Sequence, residues 1–127
     1  MRYDIIFITT ALLCLLVGEG LGIHMGISQD FTLVPAHVHL NLLGWVTLAV
    51  FGLMHRAYPS LATSRMAAVQ CVLAIVANIA MPAGLVVMLL GSTHDETLVK
   101  YASVAVILAT LLFIIMFVRK GVLAKGP

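Results

Sequence analysis

Three short polar breaks, SQDFTLVP, YPSLATS and GSTHDET, divide this sequence into four long apolar stretches. A bilayer-spanning helix needs ~20 apolar residues, and each stretch reaches that length. Nothing constrains the fold more. With 62% hydrophobic and 9% charged residues in a chain of 127, too little polar surface remains to cover a soluble domain. The expected fold is an all-α integral membrane protein, one four-helix membrane domain over residues 1–127. Its spans are predicted at about 5–27, 36–57, 65–91 and 98–118.

Charge excludes a further class. Seven Lys and Arg against five Asp and Glu leave a formal +2, far from the basic surface that nucleic acid requires. The expected partner is the lipid bilayer. Arg2 resembles the n-region of a signal peptide ahead of the apolar run Ile5 to Val17. No small-x-small site follows cleanly, so this segment is expected to remain as the first helix. Cys14 and Cys71 fall inside apolar runs with no disulfide or zinc spacing, and read as small buried hydrophobes.

Orientation follows from the cations. Arg2, Arg56, Arg65, Arg119, Lys120 and Lys125 lie at the termini and the middle connection. The other two connections hold Asp30, His94, Asp95 and Glu96, with Lys100 just inside the fourth helix. Both termini are therefore expected to be cytoplasmic, in a multi-pass protein of a bacterial cytoplasmic membrane.

That topology gathers histidines. His24, His37 and His39 each lie roughly 11–14 Å from a helix midpoint toward the outer side, and His94 follows just beyond the third helix. His55, beside Arg56, is expected to mark the opposite membrane boundary. On a helix, residues i and i+2 point ~200° apart, so His37 and His39 cannot chelate one ion. They are expected to serve two flanks of helix two, His37 continuing along Asn41, Gly44 and Trp45, and His39 along Leu43, Val46 and Val50. A planar ligand on each flank, such as haem with axial imidazoles, needs that arrangement. The alternative is that these rings bond water and carbonyls at the headgroup boundary.

Other polar residues leave two readings each. Glu19 borders the small-residue stripe Gly18, Gly22 and Gly26. It is either a proton- or cation-handling carboxyl, or a partner in helix packing. Asn78 and Pro82 are expected to give an interhelical hydrogen bond and a kink, and the methionines to fill packing space.

At HVHLNLLGW, His37 to Trp45, the sequence resembles the catalytic subunit of haem–copper oxidases and nitric oxide reductases. In that family a His-x-His helix supplies axial ligands to two haems, one on each side. The family subunit has twelve helices in three four-helix arcs, and this chain has the length of one arc. The resemblance thus implies a homotrimer with haem b between protomers. His37 of one subunit and His39 of its neighbour are the candidate ligands, and His24 the reserve. It implies electron transfer, or binding of nitric oxide or oxygen if an axial position is open, with a redox protein or quinol as partner. The family's copper-site histidine pair is missing, so no complete oxidase activity and no catalytic residue is expected. Two other functions remain open. One is a copper or zinc carrier using His24, His37, His39 and His94 with Glu19 along the path; the other is an assembly subunit of a respiratory complex.

Overall fold

The computed structural model describes residues 1–122 and is helical throughout, with no strand among them. Lys125, one of the orienting cations, lies outside the described residues. Four helices are long and apolar enough to cross a membrane, as a multi-pass membrane protein requires. Helix α1 spans Tyr3–Ser28, α2 Val34–Ala57, α3 Ala67–Leu90 and α4 Thr97–Met116, which a π turn, Phe117–Val122, extends.

The ends of the helices follow from local chemistry. Gln29 closes α1 in the left-handed conformation at φ 56°, and its amide donates to the Gly26 carbonyl at 2.6 Å. Pro35 stands in the first turn of α2, where no backbone donor is lost. At the far end Tyr58 leaves the helix at φ −124°, as expected ahead of Pro59, and a 3-10 turn Pro59–Thr63 leads toward α3. The loop before α4 is pinned by Asp95, which accepts the Thr97 N–H at 2.9 Å. Thr97's hydroxyl and then its N–H hold the Asp95 carboxyl below the ordinary carboxylate range. A carboxyl lowered in the folded state stabilises the fold above its unfolded value of ~3.9 and loses that effect as pH falls through the folded one. The turn should therefore loosen as pH falls below the ordinary carboxylate range, visible as faster amide exchange at Thr97.

Midway along α2 the backbone widens. Leu40–Thr47 forms a π segment directly after His39. The Asn41 side-chain amide donates to the His37 carbonyl at 2.9 Å, the acceptor that an α-helix reserves for Asn41's own N–H. Thr47 likewise donates its hydroxyl to Leu42, five residues back, at 2.8 Å. Inserted side-chain bonds of this kind account for such bulges, which concentrate at functional sites.

The helices pack in chain order, α1 on α2, α2 on α3 and α3 on α4, with α1 touching α3 more lightly. Among the described residues α1 and α4 share no comparable interface, so the row stays open. Small residues set the close approaches. A Cβ on Gly44 would lie 3.0 Å from the Cys14 side chain, and one on Gly84 3.1 Å from Leu98 and Val99. The main core lies toward the Tyr3–His55 end, where Phe7, Leu48, Phe51, Ala74, Phe113 and Met116 meet. Phe51 and Phe113 stack there at 4.2 Å. Toward the other end an apolar groove of about 360 Å³ opens between α1, α2 and α3, lined by residues including Val17, Leu21, Ala36, Leu40, Ile79 and Pro82.

Two polar side chains of α3 are sealed in. Asn78, 1% exposed, donates to Ala74 of its own helix at 2.7 Å and leaves Oδ1 unpartnered among the described residues. The expected interhelical bond is thus not made among the described residues, and the amide bonds within its own helix instead. Gln70 is fully buried, and neither end of its amide is bonded to a described residue. An unsatisfied buried amide costs about 1–3 kcal/mol. Gln70→Leu is therefore expected to raise the thermal unfolding midpoint in detergent; a fall would assign the amide a partner in the assembled protein.

Candidate functional site

The His-x-His pair occupies the first turn and a half of α2, and its two rings have opposite surroundings. His37 turns toward α1, half-buried, with Nδ1 3.0 Å from the Gly18 carbonyl. A carbonyl only accepts, so Nδ1 carries a proton, and in the neutral ring Nε2 is left with its lone pair. The Asn41 amide lies 3.4 Å from the same Nδ1, but both groups are then donors, and its bond goes instead to the His37 carbonyl. His39 turns the other way. Its Nδ1 donates to Pro35 in its own helix at 2.7 Å, again leaving Nε2 with its lone pair. Val46 and Val50, on the same flank, are exposed on the outside of the protomer.

Glycines in α1 create the space for His37. A Cβ on Gly22 would lie 3.1 Å from His37 Cε1, and one on Gly18 would come within 2.8 Å of Asn41. The stripe therefore accommodates polar side chains of α2 rather than a second backbone. Gly26, its third member, faces open space. Backbone freedom is not at issue here, since no glycine among the described residues has positive φ. Shape alone requires these residues.

The other candidates do not join the pair within one chain. His24 is exposed near the end of α1. It stands close to Asp30, whose carboxyl is held low first by the Thr32 hydroxyl, then by its N–H, and last by His24. His94 adopts a left-handed φ of 45° and donates its Nδ1–H to Met88 at 3.1 Å. Glu19 is exposed on the flank of α1, deep within the span, with no hydrogen bond or ion pair among the described residues. Among the described residues no three His, Cys, Asp or Glu side chains come together as a metal-binding set. An outer cluster of His24, His37, His39 and His94 is thus not assembled in a single protomer.

His55 lies near the end of α2 opposite the pair, and its ring faces inward: it is 4% exposed, with neither ring nitrogen bonded to a described residue. Phe7 stacks on it at 5.6 Å, Tyr3 lies at 5.5 Å and Phe113 at 6.0 Å. A sequence signal for this burial exists. His55 follows Leu48, Phe51 and Gly52 at helical spacing, which is the buried face of α2. Its neighbour Arg56 obscures that phase. Comparison with family models, curated proteins and solved structures finds no match to this chain.

Proposed function

We propose that this chain is a haem b-binding membrane protein that works as a homotrimer, each protomer standing where one arc stands in a haem–copper oxidase core. One observation carries the reading. Both histidines of the pair spend Nδ1–H on a backbone carbonyl and so present Nε2 from opposite flanks of one helix. A histidine that ligates metal through one nitrogen commonly donates the other N–H to a carbonyl, which fixes tautomer and ring orientation. The residues fit the group. His39 of one protomer and His37 of its neighbour would hold the haem iron, with the π segment following them in α2. His24 is the reserve donor.

Held between two imidazoles, haem b exchanges single electrons; with one position open it takes nitric oxide or oxygen. The chain's own residues orient the rings, exclude water and bring the second protomer into register. An unpaired carboxyl inside the bilayer is costly, and a neighbouring protomer would shield Glu19 or supply its partner. The open row of helices supports the same assembly, since it leaves uncovered the outer flanks of α1 and α4 and the face of α2 that carries Val46 and Val50. With both termini cytoplasmic by charge distribution, the pair would lie toward the outer face of a bacterial cytoplasmic membrane.

The test is the visible spectrum of detergent-purified protein expressed with haem supply, oxidised and dithionite-reduced, with the mass of the intact assembly. The expected result is a six-coordinate b-type spectrum and a trimer with one haem per protomer. A protein without a Soret band ends the proposal.

A further inference from the structure

At the end of the molecule away from the His-x-His pair, the start of α1 and the end of α2 enclose a pocket of about 290 Å³. That is far more than the ~10–15 Å³ that admits a single water. Its wall includes Arg2, Tyr3, Asp4, His55, Arg56 and Pro59. The buried His55 contributes an imidazole with two unmet needs, an acceptor for its N–H and a donor for its other nitrogen. Tyr3, Phe7 and Phe113 surround it with their rings, and none of them bonds either nitrogen.

The charges around the pocket do not balance. Asp4 takes Arg2 at 3.0 Å and Arg56 at 3.4 Å, both on Oδ2. Two guanidiniums share one carboxylate, leaving one positive charge in excess. The first turn of α1 adds nothing to this, since Asp4 already answers it by accepting the Ile5 N–H. An anion is therefore preferred, and the buried imidazole requires that it be a hydrogen-bonding one. The place narrows the choice further. The pocket lies where two apolar spans end, the depth at which lipid headgroups collect, and basic pockets between membrane helices hold anionic headgroups.

We propose that this pocket binds the phosphodiester headgroup of an anionic glycerophospholipid. The phosphate accepts from the Arg2 and Arg56 guanidiniums and, with the His55 ring turned toward the pocket, from its N–H, since both ring nitrogens lie below the pocket surface as it stands. Arg2 and Arg56 supply charge, and His55 supplies a further donor. The site is independent of haem, because its residues lie at the other end of α2.

The experiment uses the full chain in detergent, titrated with phosphatidylglycerol, with phosphatidylcholine, and with inorganic phosphate at matched ionic strength. Lipid retention is read by native mass spectrometry and stability by the thermal midpoint. Wild type is expected to retain phosphatidylglycerol and be stabilised by it, and to respond much less to phosphatidylcholine. Losing one hydrogen bond to a charged group, His55→Phe should bind phosphatidylglycerol about tenfold more weakly. Its midpoint without lipid should be equal or higher, since an unpartnered imidazole is replaced by a ring. Arg2→Gln with Arg56→Gln should lose the preference between the two lipids, even if His55→Phe proves unstable. Equal response to both lipids in wild type, or an unchanged preference in either variant, overturns the proposal. Stabilisation by inorganic phosphate without any by phosphatidylglycerol also overturns it, and assigns the pocket to a soluble anion.

Discussion

His39→Ala is expected to leave the four helices intact and remove the Soret band. The reason lies in where the ring sits. His39 turns outward and bonds only Pro35 of its own helix, so truncation opens no cavity between helices and breaks no tie to α1. The helical far-ultraviolet signal should match wild type while the haem is lost. His37→Ala should also lose haem, with a structural cost besides. It breaks the bond to the Gly18 carbonyl that joins α2 to α1, worth about 1 kcal/mol, and empties the space that Gly22 leaves for the ring. The two variants thus separate ligation from packing: both colourless, only His37→Ala less stable. His24→Ala should keep the spectrum. A full b-type spectrum in His39→Ala would remove the pair as the ligand set.

Gly52→Val is expected to give the largest loss of folded protein. A Cβ there would stand 2.7 Å from Ile8 Cγ1, 3.0 Å from Phe7 Cβ and 3.1 Å from the Asp4 backbone oxygen. Ile8 can change rotamer, but the Asp4 carbonyl belongs to the first turn of α1 and can move only with the helix. Overpacking typically costs about 1–3 kcal/mol and sometimes more. This site should reach the upper end, because Phe7 and Phe51 meet edge to face at 5.8 Å beside it. The contrast is Gly20, around which a Cβ meets nothing within 4 Å. Gly20→Ala should be neutral or stabilising by about 0.5–1 kcal/mol. Thermal unfolding followed by size-exclusion decides both, and a Gly52→Val protein as stable as wild type would show that α1 and α2 can separate freely.

The histidine pair is partly legible in the amino-acid sequence. Its opposed directions follow from the 3.6-residue repeat, and the structure places His37 on α1 and His39 outside. The carbonyl partners are not legible, since Gly18 is nineteen residues away and Pro35 only becomes an acceptor once the turn has formed. The π segment is hidden for a similar reason. Asn41 has ordinary helical spacing, and only its side-chain bond to His37 reveals the widened turn.

The sequence by itself determined the class and the number of spans. Apolar length against bilayer thickness and the turn chemistry at Gln29, Pro59 and Gly91 are local properties that need no partner helix. Tertiary structure alone decided which face of each helix is covered. In a span that is apolar all round, hydropathy has no contrast between core and lipid, so periodicity cannot point inward. His55 shows the consequence: its place at the end of a span is legible in the sequence, but not that its ring turns into the protein. Glu19 shows the converse: of its two readings, proton or cation handling and helix packing, neither is decided by sequence, and it stands exposed and unpaired among the described residues of the single protomer. Close packing of small residues set both positions, through Gly52 against Phe7 and through Gly18 and Gly22 against Asn41 and His37.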